Sequence, residues 1–298
     1  MHIAIVGGTG FIGSALAEHL IDEHEVTVIA RTPADATLPA AVDRVAADVT
    51  DPATLEGIFT DVDAVVNLVA LSPLFTPAGG NDQHDVVHRQ GTEHLVAAAE
   101  GADVAHFIQM SALGADPGGA TAYIRAKGAA EDAVRRSGLS WSILRPSVVF
   151  GPGGEFISFT KLLAPPYIAP LPGGGQTRFQ PIHVDDLVAI ITEVIMDPAH
   201  REQTYELGGP ERLTLAEIAK LIHRADGKSV TVLPLPMPLA RVGLTLGDAV
   251  PGVPMGLDQF RSLRFDNVTT HNDITAFGLS TEELTSLWAY LRPSSTGE

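Results

Sequence analysis

The segment from Ile3 to Gly13 reads Ile-Ala-Ile-Val-Gly-Gly-Thr-Gly-Phe-Ile-Gly and decides the fold of the chain. Its four leading apolar residues predict a buried β-strand, and the apolar residues after the glycines predict a helix that begins at Phe11. A glycine turn between a strand and a helix N-terminus is suited to a dinucleotide diphosphate, because free N–H groups and the positive end of the helix dipole face the ligand. The residues predicted to contact the nucleotide here are Gly7, Thr9, Gly10, Phe11, Ile12 and Gly13.

The glycines of this turn have separate expected roles. Gly7 permits the tight turn, Gly10 allows the backbone to approach the pyrophosphate, and Gly13 allows the helix to pack on the strand. The alternative interpretation is a plain strand-turn-helix with incidental glycines. The position of the motif, directly after an apolar strand and at the start of a helix, favours the dinucleotide site.

The first half of the chain alternates β-rich runs with amphipathic helices, which is typical of a parallel sheet covered on both faces. We predict an α/β fold with a Rossmann-type doubly wound sheet in residues 1–150. Residues 151–298 are predicted to form a smaller, mostly helical substrate lobe, with 181–209 returning to the sheet. Among the expected helices are Asp51 to Phe59, Asp85 to Ala99, Thr121 to Arg136, and Thr214 to Arg224 with a capping box from Thr214 to Glu217.

Composition excludes several classes of protein. The chain has 298 residues, 45% of them hydrophobic and 18% charged, so it can bury a core and is not disordered. It contains no cysteine, which excludes disulfides, thiolate zinc sites, iron–sulfur clusters and a cysteine nucleophile. A formal charge of −17 repels phosphate backbones, so no nucleic-acid partner is expected. The histidines have no convincing ligand spacing, and we predict no metal.

We expect a cytoplasmic protein. The chain starts Met-His-Ile-Ala-Ile-Val and enters the glycine turn at once, without the charged lead and longer apolar stretch of a secretory signal. The segment Val230 to Leu257 is apolar, but five prolines interrupt it, so it is predicted to be able to touch a membrane without crossing it as a helix. Peripheral contact with the inner face of the membrane is therefore kept as a variant of this expectation.

Arg31 follows the second predicted strand, where an enzyme specific for NAD places a carboxylate on the ribose 2′-hydroxyl. A guanidinium pairs with a 2′-phosphate, so NADP(H) is favoured over NAD(H). The alternative is a surface arginine at a strand end. Asp48 and Val49, after the third strand, are expected beside the adenine, with Asp48 accepting from the exocyclic amine; alternatively, Asp48 caps the next helix.

Tyr123 and Lys127 lie four residues apart on a predicted helix and therefore share one face. An adjacent ammonium stabilises a phenolate, so the pair is a candidate for proton transfer, and the lysine can also hold the nicotinamide ribose. An exposed helix pair is the alternative. Ser111, just past the fifth strand, is the candidate third member, a hydroxyl that orients a substrate carbonyl; its alternative role is to cap a turn.

Pro146 and Val149 follow the sixth strand, at the carboxyl edge where open parallel sheets bind ligands, and are predicted to cover the nicotinamide. Pro146 also ends the strand, which is an equally good structural reason for its presence. The segment after this edge is rich in apolar side chains and has few charged ones, which suggests an apolar substrate. The side chains expected to line its site are Phe156, Phe159, Leu162, Leu163, Pro165 and Tyr167.

With these motifs in place, the chain resembles an extended or atypical short-chain dehydrogenase/reductase over nearly its whole length. Within that superfamily it is most similar to the group of the NADPH-binding accessory subunit of respiratory complex I. The resemblance implies that Leu68, Val69 and Ala70 also contact the cofactor. The segments that carry it include Asn67-Leu-Val-Ala70, Gly91-Thr92, Leu144-Arg-Pro-Ser-Val-Val-Phe-Gly-Pro152, Ser111-Ala-Leu-Gly-Ala-Asp116, Gly175-Gln-Thr-Arg-Phe-Gln-Pro181 and Asp258-Gln-Phe-Arg-Ser-Leu-Arg-Phe-Asp-Asn267.

The resemblance implies two different functions. Members of the superfamily use Tyr and Lys with a bound nicotinamide as epimerases, dehydratases and reductases, whereas the mitochondrial subunit is thought to hold NADPH structurally. The chain departs from the sugar epimerases at His88, where they place an asparagine, and at Ala112-Leu113, where they carry a serine-rich turn. The first hypothesis is an NADP(H)-dependent oxidoreductase acting on an apolar carbonyl or quinone-like small molecule. The second is a non-catalytic nucleotide-binding accessory or assembly factor of a respiratory or membrane complex.

Overall fold

The computed structural model describes residues 1–236 and 257–292 and divides the chain into two compact units. The first unit comprises Met1–Ser72, Pro77–Pro146 and Val184–Glu206. The second comprises Pro73–Thr76, Ser147–His183 and Leu207–Glu298, the last in its described parts.

A seven-stranded sheet forms the centre of the first unit. Its strand order is β11-β6-β5-β4-β1-β2-β3, and the pairs from β6 through β3 are parallel. The chain winds outward from β1 in one direction and then from β4 in the other, which confirms the predicted Rossmann-type doubly wound sheet. The strands are β1 (His2–Val6), β2 (Glu25–Ala30), β3 (Asp43–Ala46), β4 (Ala64–Asn67), β5 (His106–Met110), β6 (Trp141–Pro146) and β11 (Gln203–Leu207).

Helices flank this sheet because its central strands are apolar on both faces. Ile3, Ala4 and Ile5 of β1 are fully buried, and β4 and β5 are buried along their whole length. Burying such side chains contributes about 1.5–3 kcal/mol each, which makes the covered sheet the main source of stability in the unit. The helices are α1 (Phe11–Leu20), α2 (Gly91–Gly101), α3 (Ala122–Arg136) and α5 (Val184–Met196).

The helix expected from Asp51 to Phe59 is wrong; a short 3₁₀ turn, Pro52–Leu55, stands in its place. Asp51 caps that turn by accepting from the Ala53 N–H, and Pro52 starts it, as a helix start requires. Gly57 then adopts a φ of +69°, which takes the chain out of helical geometry.

The helix expected from Asp85 to Ala99 is two elements. A π-helical turn, Asp85–Gln90, leads directly into α2. Arg89 joins both, because it pairs with Asp85 at 2.7 Å and with Glu93 at 3.0 Å. The wider register of a π turn shifts the residues that face inward and commonly occurs at functional sites.

The second unit contains three two-stranded ladders as well as helices. Hydrophobic clusters around Phe159 and Phe156 pack α4 and α6 against these ladders. The predicted capping box of Thr214 and Glu217 is confirmed at the start of α6. The elements are β7 (Val149–Phe150), α4 (Glu155–Leu163), β8 (Tyr167–Pro172), β9 (Arg178–Phe179), β10 (Ile182–His183), β12 (Leu213–Thr214), α6 (Leu215–Ala225) and β13 (Val230–Leu235), followed by short helices Leu257–Ser262 and Leu287–Leu291.

Two distant sequence motifs meet inside the second unit. Arg178 pairs with Asp266 at 2.6 Å, and the Asn267 N–H donates to the Arg178 carbonyl. Gln180 is buried, where its amide donates to the Gly209 carbonyl at 2.9 Å. The segments 175–181 and 258–267, which carry the family resemblance, are thus partners in one hydrogen-bonded framework.

In the described parts of the chain, the structure contains no helix with both the length and the apolar character needed to cross a membrane. The segment from Val230 to Leu257 starts as β13, and its residues 237–256 lie outside the described residues.

We predict that Gly13→Ala destabilises the protein, whereas Gly101→Ala does not. A Cβ at Gly13 would lie 2.5 Å from the Gly8 Cα, a backbone atom that cannot move without opening the turn. A Cβ at Gly101 meets nothing within 4 Å, and its helical setting favours alanine. Urea unfolding should show a loss of about 1–3 kcal/mol for the first variant and a gain of up to about 1 kcal/mol for the second. Equal stability of the two variants would contradict the tight packing at Gly13.

Candidate functional site

The glycine turn lies directly against the backbone that follows β4. Gly7 has a φ of +80°, and a Cβ there would be 3.0 Å from both the Leu68 carbonyl carbon and the Val69 nitrogen. Gly10 precedes the helix in extended conformation, and its N–H donates to the Gly7 carbonyl at 3.0 Å. The turn therefore requires glycine for conformation and for close approach.

The N-terminus of α1 is suited to an anion. The first N–H groups of any helix have no carbonyl partner within the helix. The first turn of α1, which the structure describes completely, carries no acidic side chain that would neutralise the positive end of the dipole. Thr9, Phe11 and Ile12 are partly buried around this end, and Gly10 is exposed.

A buried amide network holds the chain as it leaves β4. Asn67 donates to Gln109 at 2.9 Å and to Thr92 at 3.2 Å, and its carbonyl oxygen accepts from the Val69 N–H. Leu68 and Val69 are half-buried, and Ala70 is exposed. The backbone that contacts the glycine turn is thereby fixed from below by three polar side chains.

Arg31 and Asp48 follow neighbouring strands of the sheet and interact electrostatically. Arg31 is exposed. Hydrogen bonds from the Thr50 N–H and hydroxyl lower the pKa of Asp48, and the charge of Arg31 adds a smaller effect in the same direction. The Asp48 carboxylate thus has a local structural partner. Val49 is buried against Gly91, where a Cβ would come within 2.8 Å of it.

Tyr123 and Lys127 share one face of α3, as their spacing predicts. Thr121 caps the helix by accepting from the Ile124 N–H. The Lys127 ammonium is 1% exposed, donates to the Met110 carbonyl at 3.0 Å and lies 5.9 Å from the centre of the Tyr123 ring. The pair is therefore held at the carboxyl end of β5.

Loss of water shifts the proton affinities of both groups. Burial lowers the pKa of Lys127 from 10.5 to about 8, although the charge of Glu131 opposes this shift. Burial raises the pKa of Tyr123 well above its ordinary value of 10.0. At neutral pH the phenol thus carries its proton and the lysine is mostly an ammonium ion, an arrangement suited to donating a proton to a substrate oxygen.

Two buried histidines complete the surroundings of Tyr123. The rings of His84 and His88 lie 5.6 and 5.3 Å from the Tyr123 ring, and the Leu71 N–H donates to His88 Nε2 at 2.9 Å. Burial, with a smaller effect of the Lys127 charge, lowers the pKa of His88 well below 6.5, so His88 is neutral. The contact of the two histidines with Tyr123 was not predicted from the sequence, although their four-residue spacing indicates that both lie on one helix face.

Ser111 has a structural partner in this arrangement. Its hydroxyl is buried and donates to Glu131 Oε1 at 2.5 Å. The hydroxyl is thereby tied to α3 through a carboxylate. Its predicted role in orienting a substrate carbonyl stays a prediction.

The remaining predicted site residues lie at the exit of β6 and beyond. Pro146 ends β6, and its carbonyl accepts from the Leu113 N–H at 3.1 Å. Val149 belongs to the second unit, where it pairs with Ile182. Of the side chains expected to line an apolar pocket, Phe156 and Phe159 are core residues, whereas Leu162 and Tyr167 are exposed.

One group of three side chains in the described residues has the proximity that a metal ion needs. Glu193, Asp197 and His200 place ligand atoms within 4.8 Å of one another. His200 Nδ1 is already hydrogen-bonded to the Tyr205 hydroxyl at 2.8 Å. None of these residues belongs to the predicted nucleotide site.

Comparison with known proteins agrees with the geometry of the glycine turn. The model of a family described as NAD(P)H-binding matches residues 7–155. A mitochondrial NADH dehydrogenase (ubiquinone) 1 alpha subcomplex subunit 9 from Arabidopsis thaliana is 31% identical over 199 residues, or 63% of this chain. The chain spans only 50% of the length of that plant protein.

Two further proteins resemble a larger part of the chain. An NAD(P)H azoreductase from Xenophilus azovorans is 26% identical over 249 residues, which cover 82% of this chain and 80% of the azoreductase. The crystal structure of a UDP-glucose 4-epimerase from Thermotoga maritima superposes with a TM-score of 0.73, covering 98% of this chain and 96% of the epimerase at 19% identity. That identity shows a shared fold and carries no further conclusion.

We predict that Ser111→Ala lowers stability while nucleotide affinity stays within about twofold of the parent. The variant removes a hydrogen bond to a buried carboxylate, a loss of about 1.5–3 kcal/mol in urea unfolding. Ser158→Ala is the control, because that exposed hydroxyl donates to a carbonyl within its own helix. A Ser111→Ala protein of unchanged stability that has lost turnover would instead support the substrate-orienting role.

Proposed function

Because the chain belongs to the NAD(P)H-binding family, we propose that it is an NADP(H)-dependent oxidoreductase acting on an apolar carbonyl or quinone-like substrate. The observation that carries the proposal is the position of the buried Lys127 ammonium on the same helix face as Tyr123. When bound, a reduced nicotinamide supplies the hydride for such a reduction.

The residues of the glycine turn fit the diphosphate of such a cofactor. Side chains at Gly7 or Gly13 would collide with backbone, so only glycine allows the turn to pack closely in front of the N-terminus of α1. The helix behind it presents a positive dipole end without an acidic side chain in its first turn. We propose that Lys127 would hold the nicotinamide ribose and that Leu68 and Val69 would contact the cofactor.

Tyr123 is the proposed proton donor to the substrate oxygen. Its raised pKa keeps the phenol protonated at neutral pH, which is the form that can donate a proton to a carbonyl oxygen. As the proton leaves, negative charge develops on the phenol oxygen. The Lys127 ammonium stabilises that charge, whereas the neutral His88 next to the ring supplies no positive charge for this purpose.

The preference for NADP(H) rests on Arg31. The guanidinium is exposed at the end of β2 and can form charge-assisted hydrogen bonds with a 2′-phosphate. The nearby Asp48 would repel a phosphate, but its carboxylate is held by Thr50. The preference therefore requires that Arg31 attracts the 2′-phosphate more strongly than Asp48 repels it.

The relatives support two candidate functions, one catalytic and one accessory. The azoreductase, which matches over most of its length, is named for a reduction with NAD(P)H and supports a catalytic role. The 31% identity to the plant complex subunit supports the second candidate, a nucleotide-binding accessory factor in contact with a respiratory or membrane complex. Turnover by the isolated chain separates these two proposals.

We predict that Arg31→Ala weakens NADPH binding about tenfold or more and changes NADH binding less than about twofold. The substitution removes a charge-assisted interaction that only the 2′-phosphate makes. Isothermal titration calorimetry with both nucleotides measures the two changes. Arg136→Ala, which removes an exposed arginine at the far end of α3, is the control. Equal losses for NADPH and NADH would remove Arg31 from this role.

We predict that Tyr123→Phe lowers kcat by about 10²–10⁴-fold while the Kd for NADPH is maintained, because only the proton donor is lost. Oxidation of NADPH with menadione or an aromatic aldehyde provides the assay. Tyr290→Phe is the control, since that ring packs on Phe150 in the second unit and has no proposed role in the reaction. Unchanged turnover in Tyr123→Phe would contradict the mechanism. Tight NADPH binding by the parent without turnover of any quinone or aldehyde would favour the accessory role.

A further inference from the structure

Three side chains at four-residue intervals share one face of α3, on which the first is half-buried and the other two are buried. Tyr123 and Lys127 belong to the proposed mechanism, and Glu131 continues the same face by one more turn. Glu131 is 1% exposed, as is Lys127. A carboxylate removed from water to this extent requires strong hydrogen-bond partners. Glu131 has no role in the proposed cofactor binding or proton transfer.

The partners of Glu131 come from two strand ends and from its own helix. Ser111 donates its hydroxyl, and Arg145 donates through two nitrogens at 2.8 and 2.6 Å. Arg135, one turn further along α3, donates at 2.9 Å. The hydrogen bonds with Glu131 raise the pKa of Arg145, so the guanidinium stays charged beside the carboxylate. The position of the carboxylate is thus fixed by contacts from β5, β6 and α3.

Lys127 has no comparable anionic partner in direct contact among the described residues. Its ammonium donates to a neutral carbonyl, that of Met110. The π turn places His84 and His88 beside Tyr123 on this side, and His88 is neutral. Helix α2 also packs on α3, but its titratable side chains have other partners: Glu93 pairs with Arg89, His94 bonds the Val49 carbonyl, and Glu100 accepts from the Gly138 N–H.

We propose that Glu131 is a positioning residue whose buried carboxylate, held by Ser111 and Arg145, maintains Lys127 as an ammonium ion at the end of β5. This inference rests on the proposed function, in which Lys127 stabilises a developing phenolate. The carboxylate offsets both the loss of water around Lys127 and the positive charge of the two arginines.

Removal of this one negative charge would change the balance of the whole group. Among the described residues, the contacts of these arginines with other acids are longer: Arg135 with Asp132 at 3.8 Å and Arg145 with Glu206 at 3.9 Å. Without Glu131, desolvation and like charges would both favour the neutral amine of Lys127. A neutral amine does not stabilise a phenolate.

The chain is well suited to a direct measurement, because it contains four lysines: Lys127, Lys161, Lys220 and Lys228. Incorporation of ¹³C-lysine gives four Cε signals, and Lys127→Arg identifies the signal of Lys127 by its loss. Titration of the nucleotide-free protein then reports the pKa of each lysine without any need for turnover. In the parent, the Lys127 signal should titrate at about 8.

Glu131→Gln should lower this titration midpoint by about one pH unit or more and leave the other three lysines unchanged. Asp132→Asn is the matched control: it removes a negative charge from the neighbouring, half-exposed position and loses a contact with Arg135. We expect no measurable shift of Lys127 in that variant. An unchanged Lys127 titration in folded Glu131→Gln would overturn the proposal even if the enzyme turns over.

Arg145→Gln provides a test of opposite sign if Glu131→Gln does not fold. It removes the guanidinium charge next to the Glu131 carboxylate, so the carboxylate attracts the Lys127 ammonium more strongly. The titration midpoint of Lys127 should therefore rise. A fall or no change would overturn the proposal. Failure of the parent protein to reduce any substrate would count against the proposed function only, since these titrations require no substrate.

Discussion

The close approach of the glycine turn to the chain leaving β4 is the constraint on which the first unit depends. A Cβ at Gly7 would press on the backbone at Leu68 and Val69, and a Cβ at Gly13 would enter the turn itself. Only a strand, a turn and a helix without side chains at these points can pack so tightly. The packing of this turn is therefore the condition for the proposed diphosphate site at the N-terminus of α1.

Burial of the Lys127 ammonium on α3 has a desolvation cost that other groups must offset. An ammonium ion with 1% exposure loses nearly all of its hydration, and its pKa falls accordingly. The carbonyl of Met110 and the carboxylate of Glu131 provide the compensation. The polar residues Asn67, Gln109 and Thr92 perform a similar task beneath the exit of β4. Both arrangements place hydrogen-bonded polar groups at the carboxyl ends of β4 and β5, where a doubly wound sheet binds its ligands.

The success of the sequence-based predictions depended on how local the deciding interactions are. The glycine turn, β1 and the capping box of Thr214 follow from neighbouring residues, and each is confirmed. The helix expected after Asp51 failed because the positive φ of Gly57 takes the chain out of helical geometry after one short turn. The π turn before Gly91 was not predictable, since a shift of register by one residue changes no apolar spacing enough to be recognised.

The sequence by itself determined the α/β fold class, the glycine turn and the shared face of Tyr123 and Lys127, because the alternation of strands with helices and the spacing along one helix are local patterns. Only the tertiary structure decided the partners of these groups. Ser111 and Glu131 are 20 positions apart, and Arg178 and Asp266 are 88 apart. No periodicity relates residues at such distances, and a buried charge has many possible partners along a chain. Its actual partner is selected when the strands and helices pack and water is removed.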